Sequence, residues 1–437
     1  MDSTIQSLGN LLDSSQIVTT HELSDAKAYQ AALTAEQLPP LVLPNTPDEL
    51  QELLSWANQD KKTVLISGAA TKLGWGNAIP ATDCIISTRN LNQIIDHAEG
   101  DLTVTLQSGV TFQQLSDLLA PKGQMLPIDP TYAHQATLGG ILATRDTGSL
   151  RQRYGGVRDL CLGISFVRAD GQLAKGGGRV VKNVAGYDLM KLFTGSFGSL
   201  GVISELTLRL YPMQEASQTV LFAGETEAIA TLTAKLLDST LTPVSIDLLS
   251  QDLLQSLDIT APLGVAVRFQ NLQESVTAQV NRLKDMGATL TAKVFEQEAD
   301  QNFWPQLQST LWDSKTETTA IAKMGLLPQS IPQNLAKIQS LCDQAGVKVQ
   351  SQVLAGWGIG TLRLSGDALA VQSTLLTIRT QCEQSQGYLT VLEAPQSIKK
   401  SMDVWGYGGN AIEPMRKLKA QFDPHHLLNP GRFVGGL

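Results

Sequence analysis

The stretch from Pro127 to Pro212 constrains this chain most, because it holds 14 of the 37 glycines in about a fifth of the 437 residues. In order it reads PIDPTYAHQATLGG, then ILATRDTGSLRQRYGGVRDLCLGISFVRADGQLA, then KGGGRVVKNVAGYDLMKLFTGSFGSLGVISELTLRLYP. Glycine weakens helix and strand interiors and serves where backbone takes positive φ or touches a ligand closely. Such density argues for a cofactor cradled by main chain.

A chain this long, 42% hydrophobic, can bury a sizeable core and exceeds the usual single-domain size, so two domains are expected. Its formal charge of −8 argues against a nucleic acid or an anionic membrane as main partner. Cys84, Cys161, Cys342 and Cys382 stand far apart without CxxC or metal-ligand spacing, which suits buried thiols in a reducing compartment. The opening MDSTIQSLGNLLDSSQ has neither a basic nor an apolar signal region, and no apolar run reaches ~18 residues. No membrane span is expected; the expected location is cytoplasmic, soluble or peripheral to a membrane through partners.

Residues 1–40 read as a helical lead-in ending at Pro39-Pro40. Thr46 then suits an N-cap with Pro47 at the first helical position, and Leu50, Leu53, Leu54 and Ala57 form one apolar face. TVLISGAATKLGWG follows as a β-branched strand running into Ser67-Gly68-Ala69-Ala70-Thr71. Small residues there allow backbone N–H groups to converge on phosphate oxygens, although the same residues also suit an ordinary tight turn. A helix is expected from about Thr111 to Ala120. GWGIG at 356–360 and GYGGN at 406–410 lack the spacing and the following acid of a dinucleotide fold, so a nicotinamide cofactor is not expected.

The ordered blocks ISGAATKLG, LPIDP, ATLGG, RYGGVRDLCLG, KNVAGYDLMKLFTGSFGSLGVISELTLRLYP and FDPHHLLNPGRF together resemble the FAD-binding proteins of the vanillyl-alcohol oxidase fold, the PCMH type. Within that fold they are most similar to the FAD-binding subunits of glycolate oxidase (glycolate dehydrogenase). The resemblance runs from about Leu41 to Leu437 and is strongest between Thr63 and Pro212. It implies an α+β protein with a PCMH-type FAD-binding domain over residues 1–215, an α+β cap domain over 216–395, and a segment over 396–437 that returns to the FAD domain.

By the same resemblance, Ser67 to Leu73 would form the pyrophosphate loop, with Ser67, Gly68, Ala69, Ala70, Thr71 and Leu73 at the cofactor. Pro127, Asp129, Pro130, Thr137, Leu138, Gly139, Gly140, Ala143 and Thr144 would line the diphosphate and isoalloxazine. Tyr154 and Gly155 would lie near the flavin, and Val202 and Ile203 would present main chain to the adenine end. Gly139 and Gly140, lacking Cβ, would let backbone reach the ring. Lys182, Asn183, Tyr187 and Asp188 in KNVAGYDL read instead as polar groups that lock the sheet. Relatives that bind FAD covalently carry a histidine or cysteine at the attachment point, whereas Ala69-Ala70-Thr71 offers no nucleophile and His134 reads as a loop histidine. The FAD is therefore expected to be non-covalent.

Beyond Pro212 the periodicity returns as two successive βαββαβ rounds, with Val276, Val280 and Leu283 on one helix face, and Leu335, Ile338 and Cys342 or Val371, Leu375, Ile378 and Cys382 on others. Related hydroxy-acid dehydrogenases carry an HxGDGNxH block in the cap, but this chain reads LAGWGIGTLRL there. Its five histidines, His21, His97, His134, His425 and His426, offer no suitable imidazole pair, and no metal site is expected. Lys323, in AIAKMGLLP, matches a lysine at a strand end facing the flavin; it would bind a substrate carboxylate, or is an exposed strand-end lysine. Arg363 and Trp357 are weaker candidates.

The resemblance implies the FAD-binding subunit of a complex that oxidises glycolate or another small hydroxy acid, working with a second FAD subunit and an iron–sulfur subunit. A stand-alone metal-free flavoenzyme for a sugar acid, lactone or other alcohol, and a structural subunit with non-catalytic FAD, are the alternatives.

Overall fold

The computed structural model describes residues 2–19, 26–35, 37–179, 186–313 and 318–437. Two compact units make up the chain: Met1–Gly148, Gly155–Met213 and Tyr407–Leu437 form the first, and Ser149–Tyr154 with Gln214–Gly406 the second.

In the first unit β1 (Ile17–Val18), β2 (Leu41–Val42), β3 (Val64–Ser67) and β4 (Cys84–Ser87) form a sheet in the order β1-β2-β4-β3, with β2 and β3 parallel to β4. The expected helical lead-in is interrupted, because β1 leaves the helical path to pair antiparallel with β2 between helices Asp2–Gly9 and Ala26–Ala32. His21 lies outside the described residues. Helix Pro47–Gln59 starts as its sequence predicts. Thr46 Oγ1 accepts a hydrogen bond from Glu49 N at 3.2 Å, and Leu50, Leu53, Leu54 and Ala57 are buried. Thr111 and Gln114 likewise form a reciprocal capping box at the start of helix Phe112–Leu119.

The remaining strands of this unit are β5 (Ile94–Ala98), β6 (Thr103–Gln107), β7 (Gln124–Met125), β8 (Cys161–Val167), β9 (Leu173–Gly177), β10 (Val202–Arg209) and β11 (Tyr211–Pro212). Five of them make an antiparallel sheet ordered β5-β6-β10-β8-β9, while β7 pairs with β11. β8 is buried along its whole length, with Ile164 and Phe166 in one apolar cluster and Val167 in another, which explains a run of apolar residues interrupted by Ser165 alone. Lys182 and Asn183 lie outside the described residues. Tyr187, 87% exposed, and Asp188 stand in solvent, so they do not lock the sheet as expected.

The second unit is built on β12 (Ala216–Gly224), β13 (Ser245–Ser250), β14 (Leu263–Asn271), β15 (Thr291–Glu296), β16 (Thr319–Gly325), β17 (Lys348–Leu354), β18 (Ile359–Ser365) and β19 (Tyr388–Glu393). With helices Thr226–Leu237, Gln273–Met286, Ile331–Ala345 and Ala368–Gln384, these are the two expected βαββαβ rounds, merged into one antiparallel sheet ordered β15-β12-β14-β13-β17-β18-β16-β19. Alternation sends Val220, Phe222, Ile246, Leu248, Val265 and Val267 into a core shared with helical residues such as Ile229, Val276, Leu335 and Leu375. Each such side chain contributes roughly 1.5–3 kcal/mol by leaving water. Helix Glu298–Trp312, unforeseen in the sequence, is fastened to the sheet by polar groups: Trp304 Nε1 donates to Thr219 Oγ1 at 2.9 Å, and Arg268 Nη2 to Asp300 Oδ2 at 2.8 Å. Among the described residues no helix is long and apolar enough to cross a membrane.

Candidate functional site

In the first unit the end of β3 opens into a cavity whose empty space, open mouth included, is about 670 Å³. Its first wall is the loop that follows β3. Ser87 Oγ donates to the carbonyl of Gly68 at 2.8 Å, Thr88 Oγ1 to that of Ser67 at 3.4 Å, and Ala70 turns the chain with φ +63°. For a residue with a Cβ that left-handed conformation is strained by about 1 kcal/mol. The second wall is helix Leu138–Thr144, capped by Thr137, whose Oγ1 accepts from Gly140 N at 3.3 Å. The two walls touch: a Cβ on Gly68 would stand 2.1 Å from Thr137 Oγ1, so only glycine fits there. A third wall comes from Phe197, Gly198 and the entry to β10. It is tied to the helix by Phe197 N donating to the Ala143 carbonyl at 2.9 Å.

Two cations belong to the lining, Lys72 and Arg432. Lys72 Nζ lies 3.1 Å from Asp146 Oδ2, which also accepts from Thr131 N and Oγ1 at 2.9 and 2.7 Å. Arg432 is 3% exposed, and its Nη2 donates to the carbonyls of Lys72 and Leu73 at 3.3 and 2.8 Å. Burial pushes this guanidinium down to about 10. The remaining wall is mostly main chain, Ala, Val and Ile.

Of the residues expected at the cofactor, Ser67, Gly68, Ala69, Ala70, Thr71, Leu73, Thr137, Gly139, Gly140, Ala143, Thr144, Val202 and Ile203 line this cavity. Leu138 does not: helical spacing sets it with Ile141 and Leu142 in the apolar core. Gly139 is demanded less by the cavity than by Ser108, whose Cβ would lie 2.7 Å from an added Cβ. Pro127, Asp129, Pro130 and Gly155 lie outside the lining. Asp129 packs at Gly148, and Gly155, at φ +76°, turns beside Asp159. Tyr154 belongs to the second unit. Lys72 lay inside the expected loop without a role of its own, while Asp146, Phe197 and Arg432 were not singled out, although Phe197 and Arg432 sit inside quoted blocks. His134 pairs with Gln113 at 2.9 Å on the surface, and all four cysteines are buried, with Cys84 and Cys161 pushed up to about 12 by desolvation.

The second unit carries a polar row on the sheet face opposite its aliphatic core. Cross-strand register aligns Gln352, Thr361, Lys323 and Thr390 on β17, β18, β16 and β19, with Leu249 of β13 closing the row at one end. Lys323 is half-buried in that row. Arg363 is instead 2% exposed and donates to the Leu311 carbonyl at 3.0 Å, and Trp357 lies 5.6 Å from the Arg151 guanidinium. Among the described residues no three His, Cys, Asp or Glu side chains gather as a metal cluster would need.

Beside the row, Asp247 is fully buried, hydrogen-bonded by Ser149 Oγ and, at 2.5 Å, by Gln352 Nε2; its Oδ1 has no partner among the described residues. Desolvation outweighs the two hydrogen bonds and raises this carboxyl from an ordinary 3.8 to about 6. A carboxyl raised on folding favours the folded state while protonated, so its contribution is whole below 3.8 and is lost as pH climbs through about 6. The shift corresponds to roughly 3 kcal/mol. Calorimetry across pH 4–8 is expected to show the second unit melting progressively earlier up to about pH 6 and levelling above it, with Asp247→Asn flattening the decline; an identical decline in the variant would refute this.

The residues of the cavity fit FAD: apolar walls suit flat rings, the lining cations suit a diphosphate, and the glycine contact at Thr137 is a cradle that a Cβ would fill. Residues 39–177 match the family model described as FAD binding domain, and residues 404–433 the one described as FAD linked oxidases, C-terminal domain. Glycolate oxidase subunit GlcD of Bacillus subtilis is 25% identical over 428 residues, 93% of this chain and 91% of that protein. Glycolate oxidase subunit GlcE of Escherichia coli is 36% identical over 174 residues, 39% of this chain and 49% of its own. The structure of p-cresol methylhydroxylase with substrate bound superposes with a TM-score of 0.78 at 15% identity, covering 99% of this chain and 96% of that one, a likeness of fold. The chain thus carries an FAD binding domain and a C-terminal segment of the FAD-linked oxidase type within a PCMH-like fold, and is an FAD-dependent oxidoreductase.

Proposed function

We propose that this chain is the FAD-bearing subunit of a complex that oxidises a small 2-hydroxy acid such as glycolate and passes the electrons to a partner. The observation that carries the substrate class is the row Gln352–Thr361–Lys323–Thr390, in which one ammonium sits among hydroxyl and amide groups suited to a small hydroxylated carboxylate. Lys323 would hold the carboxylate as a point charge while the neighbouring threonines orient the hydroxyl.

Ser67–Leu73, Thr137–Thr144, Val202, Ile203 and Arg432 would hold the cofactor, without a covalent bond because Ala69-Ala70-Thr71 has no nucleophile. FAD bound there supplies a two-electron acceptor for hydride from the carbinol carbon. Two of its relatives are named as subunits of glycolate oxidase, which supports work in company, with a second FAD subunit and an iron–sulfur subunit as the proposed partners.

Anaerobic bleaching of the flavin by glycolate tests the reading. The isolated chain is expected to bleach slowly or not at all, and the co-expressed complex rapidly, with Lys323→Ala lowering the rate at limiting glycolate by about 10–100-fold, the worth of a charge-assisted hydrogen bond. An unaltered rate in Lys323→Ala would remove its role, and rapid stoichiometric bleaching of the isolated chain would make it an independent enzyme.

A further inference from the structure

The C-terminal segment from Asp423 to Arg432 braces the walls of the cavity, and Arg432 itself belongs to the lining. Asn429 is left-handed at φ +46°, and its side chain bridges two walls: Oδ1 accepts from Ile66 N at 2.7 Å, and Nδ2 donates to the Phe197 carbonyl at 2.6 Å. Its backbone continues β3 sideways, with Val64 N donating to Leu427 O at 2.8 Å and Asn429 N to Val64 O at 3.0 Å. Three residues on, Arg432 fastens the far end of the first loop through the Lys72 and Leu73 carbonyls. Asn77 secures the same stretch, Nδ2 donating to Gly431 O at 3.0 Å and N to Arg432 O at 3.2 Å.

We infer that this tail is a latch on the flavin cavity: seating of the tail and occupancy by FAD are thermodynamically coupled, with Asn429 and Arg432 as positioning residues. The inference rests on the assignment of this cavity to the flavin. Coupling follows from the connectivity. The tail bridges the first wall to the third through Asn429, so a ligand that favours that spacing favours the seated tail, and by reciprocity an unseated tail weakens the ligand. Loss of a hydrogen bond from a charged donor is worth about 10–100-fold in affinity. Lysine at position 432 could reach one carbonyl with a single point charge but not hold two with a planar fork.

The test compares hydrogen exchange in the holoprotein and in the same protein stripped of flavin, following peptides over 427–433 and, as a reference, 319–325 in the second unit. FAD is expected to slow exchange of the tail by about tenfold or more and to leave the reference unchanged. FAD titration by fluorescence quenching is expected to give a Kd raised at least about tenfold in Arg432→Gln, partly restored in Arg432→Lys, and unchanged in Arg416→Gln, which breaks an exposed pair with Glu413. Equal exchange of the tail with and without FAD, or an unaltered Kd in Arg432→Gln, overturns the latch. A wild-type chain that binds FAD while Gly68 and Thr137 peptides stay unprotected would instead overturn the cavity assignment on which the latch stands.

Discussion

Gly68→Val is expected to purify as a folded protein with little or no flavin. An added Cβ would lie 2.1 Å from Thr137 Oγ1, 3.2 Å from its Cβ and 3.3 Å from its Cγ2, and the two methyls of valine widen the conflict. Neither side can yield cheaply. Thr137 is held as the cap of helix Leu138–Thr144, a contact worth about 1 kcal/mol, and the Gly68 carbonyl is held by Ser87. The loop must therefore move away from the helix, and overpacking of this kind costs about 1–3 kcal/mol, which falls on the geometry that binds the cofactor. Gly140→Ala is the contrast, since its Cβ would meet only Thr137 Oγ1 at 3.1 Å. The ratio of flavin to protein absorbance should fall by about 10–100-fold in Gly68→Val and little in Gly140→Ala, with circular dichroism unchanged in both. Full flavin content in Gly68→Val would mean that the contact between the walls is not what shapes the site.

The glycine-rich loops announced themselves because their chemistry is local: small residues after a β-branched strand, and a Thr-Leu-Gly-Gly run that can both cap a helix and clear space. The same locality hid which residue of a block does what. Leu138 sits beside Thr137 in sequence, yet 3.6-residue periodicity turns it to the core with Ile141 and Leu142. Gly139 and Gly140 are adjacent, yet Ser108 explains one and not the other. Contacts that join distant segments left no pattern to read: Asn429 with Ile66 and Phe197, Arg432 with the loop at Lys72, and Lys72 with Asp146. In the second unit, alternation over Ser245–Leu248 did set Asp247 opposite Ile246 and Leu248, but only the fold shows that Ser149 and Gln352 close over it. The Glu298–Trp312 helix went unseen because its buried face mixes Asp300 with Phe303, Trp304 and Leu307.

Asp423→Ala should have the largest effect on stability. Lys419 Nζ and Asp423 Oδ2 are 2.6 Å apart with both side chains almost wholly buried, and each is shared further. The ammonium also donates to the carbonyls of Ser199 and Leu428 at 2.8 Å, while the carboxylate accepts from Leu427 N at 3.0 Å and Leu428 N at 2.8 Å. Burial already pushes Lys419 below the ordinary lysine value, with Asp423 opposing the shift. Removing the carboxylate leaves that cation buried among carbonyls alone and orphans two backbone donors, a change that typically costs about 3–5 kcal/mol. The first unit is therefore expected to melt about 10 °C lower, while the transition of the second unit stays in place. Replacing both partners in Lys419→Met/Asp423→Leu removes the buried charge with its counterion, so the pair should recover much of the loss relative to the single variant, as apolar substitution of whole ion pairs does elsewhere. Two calorimetric outcomes would count against a charge-driven penalty: a single variant that melts with the wild type, or a double variant that melts no later than Asp423→Ala.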